Sequence, residues 1–176
     1  ERIARVVPGC EDMNARVRTR YGFTLPRPPV ERRFETPSGR AELREVPLPR
    51  IEVAPGRLLL MTLRSHDQYN TTIYSNDDRY RGVFGERCVV FVHPEDLQLL
   101  GLADGVQVDV TSHCPGPSGE ETRVLRGFQT RAYDVPRGCA AAYFPEANAL
   151  VPLSHHAEGS LTPGYKSVVV SLAACS

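Results

Sequence analysis

No apolar run in this 176-residue chain approaches the ~20 residues that a membrane-spanning helix needs, so no membrane partner is expected. Net charge is missing too, since 21 basic residues balance 21 acidic ones. Proteins that bind nucleic acid carry a net basic footprint, so no nucleic-acid partner is expected either. The early arginines, Arg16, Arg18, Arg20, Arg32, Arg33 and Arg40, read as a solvated surface or as a contact with another domain. No CxxC occurs. Cys10, Cys88, Cys114, Cys139 and Cys175 are widely and irregularly spaced, which excludes a zinc or iron–sulfur set read from sequence. An odd cysteine count without a secretory leader points to reduced thiols and a cytoplasmic setting. There is no initiating Met and no internal repeat, and the chain reads as a piece of something longer or as a processed product. What remains, 41% apolar and 24% charged residues, is ordinary for a soluble globular protein.

Residues 1–50 differ from the rest. Glu11 to Arg20 predicts one short helix, with Gly9 as a cap. Pro26, Pro28, Pro29, Pro37, Pro47 and Pro49 come next, a density that opposes both helix and central strand. This part is expected to be an extended connector, a strap that runs over other structure. Residues 51–176 read as one domain of short strands and turns. Strands are predicted at Leu58–Leu63, Cys88–Val92, Gln107–Thr111, within Thr122–Ala132, at Gly138–Tyr143 and at Lys166–Leu172. A helix is predicted from Pro94 to Leu100, because Pro suits its first turn, Glu95 and Asp96 its positive end, and Gly101 its stop. The Cys114–Gly119 tract reads as a loop. Several short strands with one or two helices predict a mainly β fold that closes, or nearly closes, into a barrel.

The most informative stretch is the first strand together with the polar segment at its end. The run Leu58-Leu59-Leu60-Met61-Thr62-Leu63 breaks into seven polar residues, Arg64-Ser65-His66-Asp67-Gln68-Tyr69-Asn70. A rigid strand that delivers this many hydrogen-bonding groups to one rim suits a large polar ligand. A solvated loop after an ordinary strand is the bland alternative.

Four stretches carry a family likeness in order. They are Phe34-Glu35-Thr36-Pro37-Ser38-Gly39-Arg40-Ala41; Leu63 to Asn70; His93-Pro94-Glu95-Asp96 through Gly105 and Val108-Asp109-Val110; and Asn148-Ala149-Leu150-Val151-Pro152 through Leu161-Thr162-Pro163-Gly164-Tyr165-Lys166. On these the chain resembles the C-terminal dinucleotide-binding domain of molybdopterin oxidoreductases, in the formate-dehydrogenase-like branch. The Gln68–Gly82 segment is similar to the subgroup that has no N-terminal iron–sulfur cluster. The resemblance implies a double-psi β barrel. It implies a role in holding bis(molybdopterin guanine dinucleotide), with molybdenum or tungsten, bound only in the full-length protein against its N-terminal domains. The metal ligand of that family belongs to earlier domains, so this chain alone is expected to hold no metal and catalyse nothing.

On that resemblance the expected cofactor-binding residues are Thr62, Arg64, Ser65, His66, Gln68, Tyr69, Asn70, Tyr143, Asn148, Tyr165 and Lys166. Arg64 suits a diphosphate or pterin carbonyl through its planar fork, and Lys166 suits phosphate as a compact charge. The alternatives are an Arg64–Asp67 ion pair and an exposed lysine. Ser65, Gln68 and Asn70 match a heterocycle edge of alternating donors and acceptors. Tyr69 and Tyr165 offer flat faces, or else barrel packing. A one-residue shift would put Phe144 in place of Tyr143. His66 is either a proton-handling group or a hydrogen-bonded loop residue. His93 reads as a helix cap. Adjacent His155 and His156, even with Glu158 close by, do not make a metal pair. The rival reading is a non-catalytic double-psi interaction module. A self-processing decarboxylase of that fold would need a Gly-Ser pair, and Gly159-Ser160 sits too late in the chain.

Overall fold

The structure, a computed structural model, describes every residue except Pro26, Pro49 and Ser176. Two of the prolines in the expected connector therefore lie outside the described residues. The chain divides into two compact units, Glu1–Pro49 and Arg50–Ser176. The first holds two short helices, α1 (Arg2–Val6) and α2 (Met13–Arg16), neither of which buries a residue. The helix expected over Glu11–Arg20 is thus shorter, and α1 was not foreseen. Gly9 is no cap: Asp12 precedes α2, and the Gly9 N–H binds the Glu11 carboxylate at 3.0 Å. Between α2 and the first strand no helix or strand occurs among the described residues, as proline density dictates.

The second unit is a closed barrel of six strands. They are β1 (Leu58–Leu63), β2 (Val89–Val92), β3 (Gln107–Gly116), β4 (Gly119–Ala132), β5 (Cys139–Tyr143) and β6 (Val168–Ala174). Their order around the barrel is β1-β5-β2-β4-β3-β6. β1 runs parallel to β5 and β2 parallel to β4, and the remaining neighbours are antiparallel. This is the mainly β, double-psi barrel that the resemblance implied.

Alternation explains what each strand buries. Leu58 and Leu60 of β1, Val90 and Val92 of β2, Val108 and Val110 of β3, and Val168 and Val170 of β6 all point into one core. β2 is buried at every position, so its apolar run needs a second cover. That cover is a smaller cluster on the outer face, formed by Val83, Val89, Phe91, Ala141 and Tyr143. Val83 belongs to the loop between β1 and β2, so the loop is seated on the barrel wall.

The Cys114–Gly119 tract is mostly strand rather than loop. β3 runs through Cys114, Pro115 and Gly116, pairing Pro115 with Glu120 and Gly116 with Gly119. Only Pro117 and Ser118 make the turn. Proline is tolerated near a strand end, where a missing N–H costs little. The helix α3 (Pro94–Leu99) has the predicted caps: Pro94 at its start, Nδ1 of His93 accepting from the Glu95 N–H at 3.2 Å, and Gly101 past its end at φ 68°. That positive φ is open to glycine at no steric cost.

Candidate functional site

Backbone pairing draws three distant segments together at one end of β1. The Thr62 N–H donates to the Tyr165 carbonyl at 2.9 Å, and the Phe144 N–H donates to the Leu63 carbonyl at 2.8 Å. The result is a cavity of about 280 Å³ lined by Thr62, Leu63, Arg64, Phe144, Tyr165 and Lys166. Phe144 and Tyr165 meet edge to face with ring centroids 6.4 Å apart, an arrangement aromatic quadrupoles favour. The two cations have no carboxylate partner among the described residues. Arg64 instead donates to the Asn70 side-chain oxygen, and the Lys166 ammonium donates to the Thr62 carbonyl. The alternative Arg64–Asp67 pair does not form, because Asp67 faces Arg79 at 3.6 Å and His66 at 3.9 Å.

Of the expected residues, Thr62, Arg64, Tyr165 and Lys166 line this cavity. Ser65 and Gln68 are buried behind it, 4% and 9% exposed. Gln68 has no polar capacity left to offer. Its amide donates to the carbonyls of Asn70 at 2.7 Å and Phe144 at 2.6 Å, and its oxygen accepts from the Ser65 N–H at 3.0 Å and from Arg87 at 2.9 Å. An amide side chain offers two donors and two acceptor sites, and all four are used. The expectation that Ser65 and Gln68 face a ligand edge is therefore corrected: they brace the loop that carries Arg64.

Tyr143 is also corrected. It is 1% exposed, packs edge-on against Phe91 with centroids 5.4 Å apart, and its hydroxyl donates to Asp78 at 2.9 Å. Successive side chains leave a strand on opposite sides, so Phe144 takes the cavity face. Burial and the bond to Asp78 push the Tyr143 hydroxyl well above the ordinary phenol value. For Asp78, burial raises the carboxyl, but hydrogen bonds from Arg81 at 2.6 Å and from Tyr143 outweigh it and leave the group below the usual carboxylate range. Arg81 also reaches the Arg64 carbonyl at 3.3 Å.

The remaining expected residues stand outside the cavity. Tyr69 is 67% exposed. His66 stacks on Tyr80 with centroids 3.7 Å apart. Asn70, at φ 50°, turns the chain and holds Arg64. Asn148 sits on a short 3-10 helix, Glu146–Leu150, and its side-chain oxygen is buried without a partner. His155 reaches the Ser167 carbonyl at 3.2 Å while His156 is turned to the Ala157 carbonyl, so the adjacent imidazoles face different partners. A larger cavity, about 750 Å³, lies between residues 50–57 and the β3–β4 hairpin. Three of its polar residues pair among themselves or with the wall: Arg57 binds Glu120 at 2.8 Å, and His113 bridges Glu120 at 2.9 Å and Ser171 at 2.8 Å.

Sequence reasoning missed Arg87 altogether. It is 5% exposed and donates to the Ser65 hydroxyl at 2.9 Å, to Gln68, to the Phe144 carbonyl at 2.8 Å and to Glu146 at 2.8 Å. The rings of Tyr74 and Tyr143 lie 4.5 Å and 4.8 Å from its guanidinium carbon. The only sequence signal was a charged residue two positions before a fully apolar strand.

A family model, that of the molydopterin dinucleotide binding domain, matches residues 58–169. An oxidoreductase of Mycobacterium bovis, described as uncharacterized, is 52% identical over 172 residues, covering 97% of this chain and 22% of its own length. Protein YdeP of Escherichia coli is 39% identical over 176 residues, again 97% of this chain and 23% of its own length. The chain thus spans less than a quarter of the length of these relatives. Among solved structures, acetylene hydratase from Pelobacter acetylenicus aligns over 67% of this chain and 18% of its own, at 15% identity and a TM-score of 0.45.

Proposed function

The chain belongs to the molybdopterin dinucleotide-binding domain family, and from that premise we propose that it forms one wall of the cofactor site in a longer, formate-dehydrogenase-like oxidoreductase. The cofactor of this reading is bis(molybdopterin guanine dinucleotide), held between this barrel and N-terminal domains of the same polypeptide in the cytoplasm. Residues 1–50 are then the tail of a preceding domain and its connector. When bound, the cofactor supplies two-electron chemistry at molybdenum or tungsten. The barrel supplies binding and orientation.

One observation carries the reading: the cavity at the end of β1 gathers Arg64 and Lys166 with no carboxylate, beside two aromatic rings. A doubly charged diphosphate flanked by flat heterocycles fits that donor set. Arg64 commits one nitrogen to Asn70, leaving most of its five N–H donors for phosphate or a ring carbonyl. Lys166 commits one of its three. Phe144 and Tyr165 give the cavity an aromatic lining on which a flat ring can pack. The relatives, named as oxidoreductases or several times longer than this chain, support the larger setting.

The test is Arg64→Ala together with Lys166→Ala in the full-length protein, with metal and guanine nucleotide released per polypeptide as the readout. Each charge-assisted hydrogen bond contributes roughly 1.5–3 kcal/mol, so retention is expected to fall more than about tenfold. Full occupancy in that variant overturns the proposal.

A further inference from the structure

Resting on that reading, we infer that Arg87 is the positioning residue of the cofactor rim, setting the spacing between Arg64 and Phe144 across the cavity. A guanidinium this buried is costly unless its donors are matched. Here they are matched by acceptors from three separate segments. From the β1 exit come the Ser65 hydroxyl and the Gln68 oxygen. From the loop comes the Ser75 carbonyl at 3.2 Å. From the β5 exit come the Phe144 carbonyl and the Glu146 carboxylate.

Two of those segments, on neighbouring strands, carry lining residues of the cavity. Arg64 is the residue before Ser65, and Phe144 itself accepts from Arg87. Gln68 spans the same gap, since its amide reaches the Phe144 carbonyl while its oxygen takes Arg87. The planar fork, clamped between Tyr74 and Tyr143, therefore fixes how far the arginine rim stands from the aromatic rim. Lysine can carry the charge, but its three donors radiate from one nitrogen and cannot reach all these acceptors at once. Arg87 does not line the cavity, so it acts through Ser65, Gln68 and Phe144.

The experiment compares full-length Arg87→Met and Arg87→Lys with Val110→Ala, a fully buried residue of the barrel core whose loss destabilises without touching the rim. The readouts are the rate at which guanine nucleotide and metal leave the protein on incubation, and the melting temperature. Residues that orient ligand-binding groups typically change affinity about 10–100-fold when lost. Arg87→Met is expected to release cofactor faster by that factor at a melting temperature where Val110→Ala retains it, with Arg87→Lys in between. Release no faster than from Val110→Ala overturns the inference, because a merely structural arginine loses cofactor only as it loses stability. Should Arg87→Met fail to fold, Arg87→Lys and Gln68→Met, singly and together, decide. Non-additive release rates support a shared rim contact, and additive ones overturn it. The Arg64→Ala, Lys166→Ala variant separates the two claims. If it keeps its cofactor, the functional reading itself fails. If it loses the cofactor while the Arg87 variants track Val110→Ala, only the positioning role fails.

Discussion

The barrel interior and the loop seated on its wall, residues 64–87, are held by different physics. Inside, Leu58, Leu60, Val90, Val92, Val108, Val110, Val168 and Val170 meet in one apolar cluster, with Thr62, Ser112 and Thr130 the buried polar residues of the barrel strands, and burial of apolar surface provides most of the cohesion. The loop has one buried aliphatic anchor, Val83, and is otherwise tied down by Arg87, Asp78, Gln68 and Tyr143. An apolar core is tolerant in direction and indifferent to pH. A buried polar network holds its members at defined distances but fails when one partner is lost. The scaffold is built the first way and the cavity rim the second, which matches what each has to do.

The sharpest way to break this contrast is Leu60→Ala. Leu60 is fully buried at the centre of the core, and such truncations cost about 2–5 kcal/mol. Hydrogen exchange on the full-length protein, read peptide by peptide, is expected to show lost protection across β1, β5 and β6 together. A cost confined to β1 would mean that the barrel is not one cooperative body.

Asp78→Ala acts on the other region. It leaves the buried Tyr143 hydroxyl unpaired, a loss of about 1–3 kcal/mol, and is expected to open the loop while the strands stay protected. Acid gives the same result reversibly. The folded Asp78 carboxyl is held below its ordinary range by Arg81 and Tyr143 against the burial that raises it. Its stabilisation is therefore complete above the unfolded value, about pH 4, and disappears as pH falls through the folded one. Asp96 is held low in the same way, by Arg137 and the Gly138 N–H against burial. Below about pH 4, the loop and α3 are thus expected to lose protection before the strands do. Equal loss in loop and strands would erase the distinction between the two regions.

The same contrast explains what was legible in the sequence. Strands announced themselves through apolar runs, so all six were placed, with errors at their ends. β3 and β4 extend to a two-residue turn because the hairpin outlasts its apolar stretch: Pro115, Gly116 and Gly119 pair as strand while reading as breakers. The rim was legible only in part. Arg64, Tyr165 and Lys166, which line the cavity, stood out in the sequence because they lie just after or just before strands whose positions were clear. Between Tyr143 and its one-residue alternative Phe144, it is Phe144 that lines the cavity, since a one-residue slip at a strand end exchanges the two faces. Arg87 gave only a faint local signal, its place before an apolar strand, and Asp78 gave none. Their burial comes from partners far along the chain, Glu146 at 2.8 Å and Tyr143 at 2.9 Å, and no window of sequence contains both ends of either bond.

The smallest expected effect sharpens the comparison from the barrel side. The His93 imidazole caps α3 through a single hydrogen bond to the Glu95 N–H at 3.2 Å, at an exposed position. Losing a side-chain cap costs about 1 kcal/mol, and water can replace the acceptor here, so His93→Ala is expected to fray only the first turn of α3. The bond is of the same kind as those Gln68 makes to the Asn70 and Phe144 carbonyls, one side-chain atom to one backbone group, yet Gln68 itself is buried and those bonds are partly shielded from water. Hydrogen exchange in His93→Ala set beside Gln68→Met tests the point. Local fraying in the first and loosening from Ser65 through Asn70 in the second are expected. Comparable, purely local effects in both would show that burial does not give the rim its rigidity.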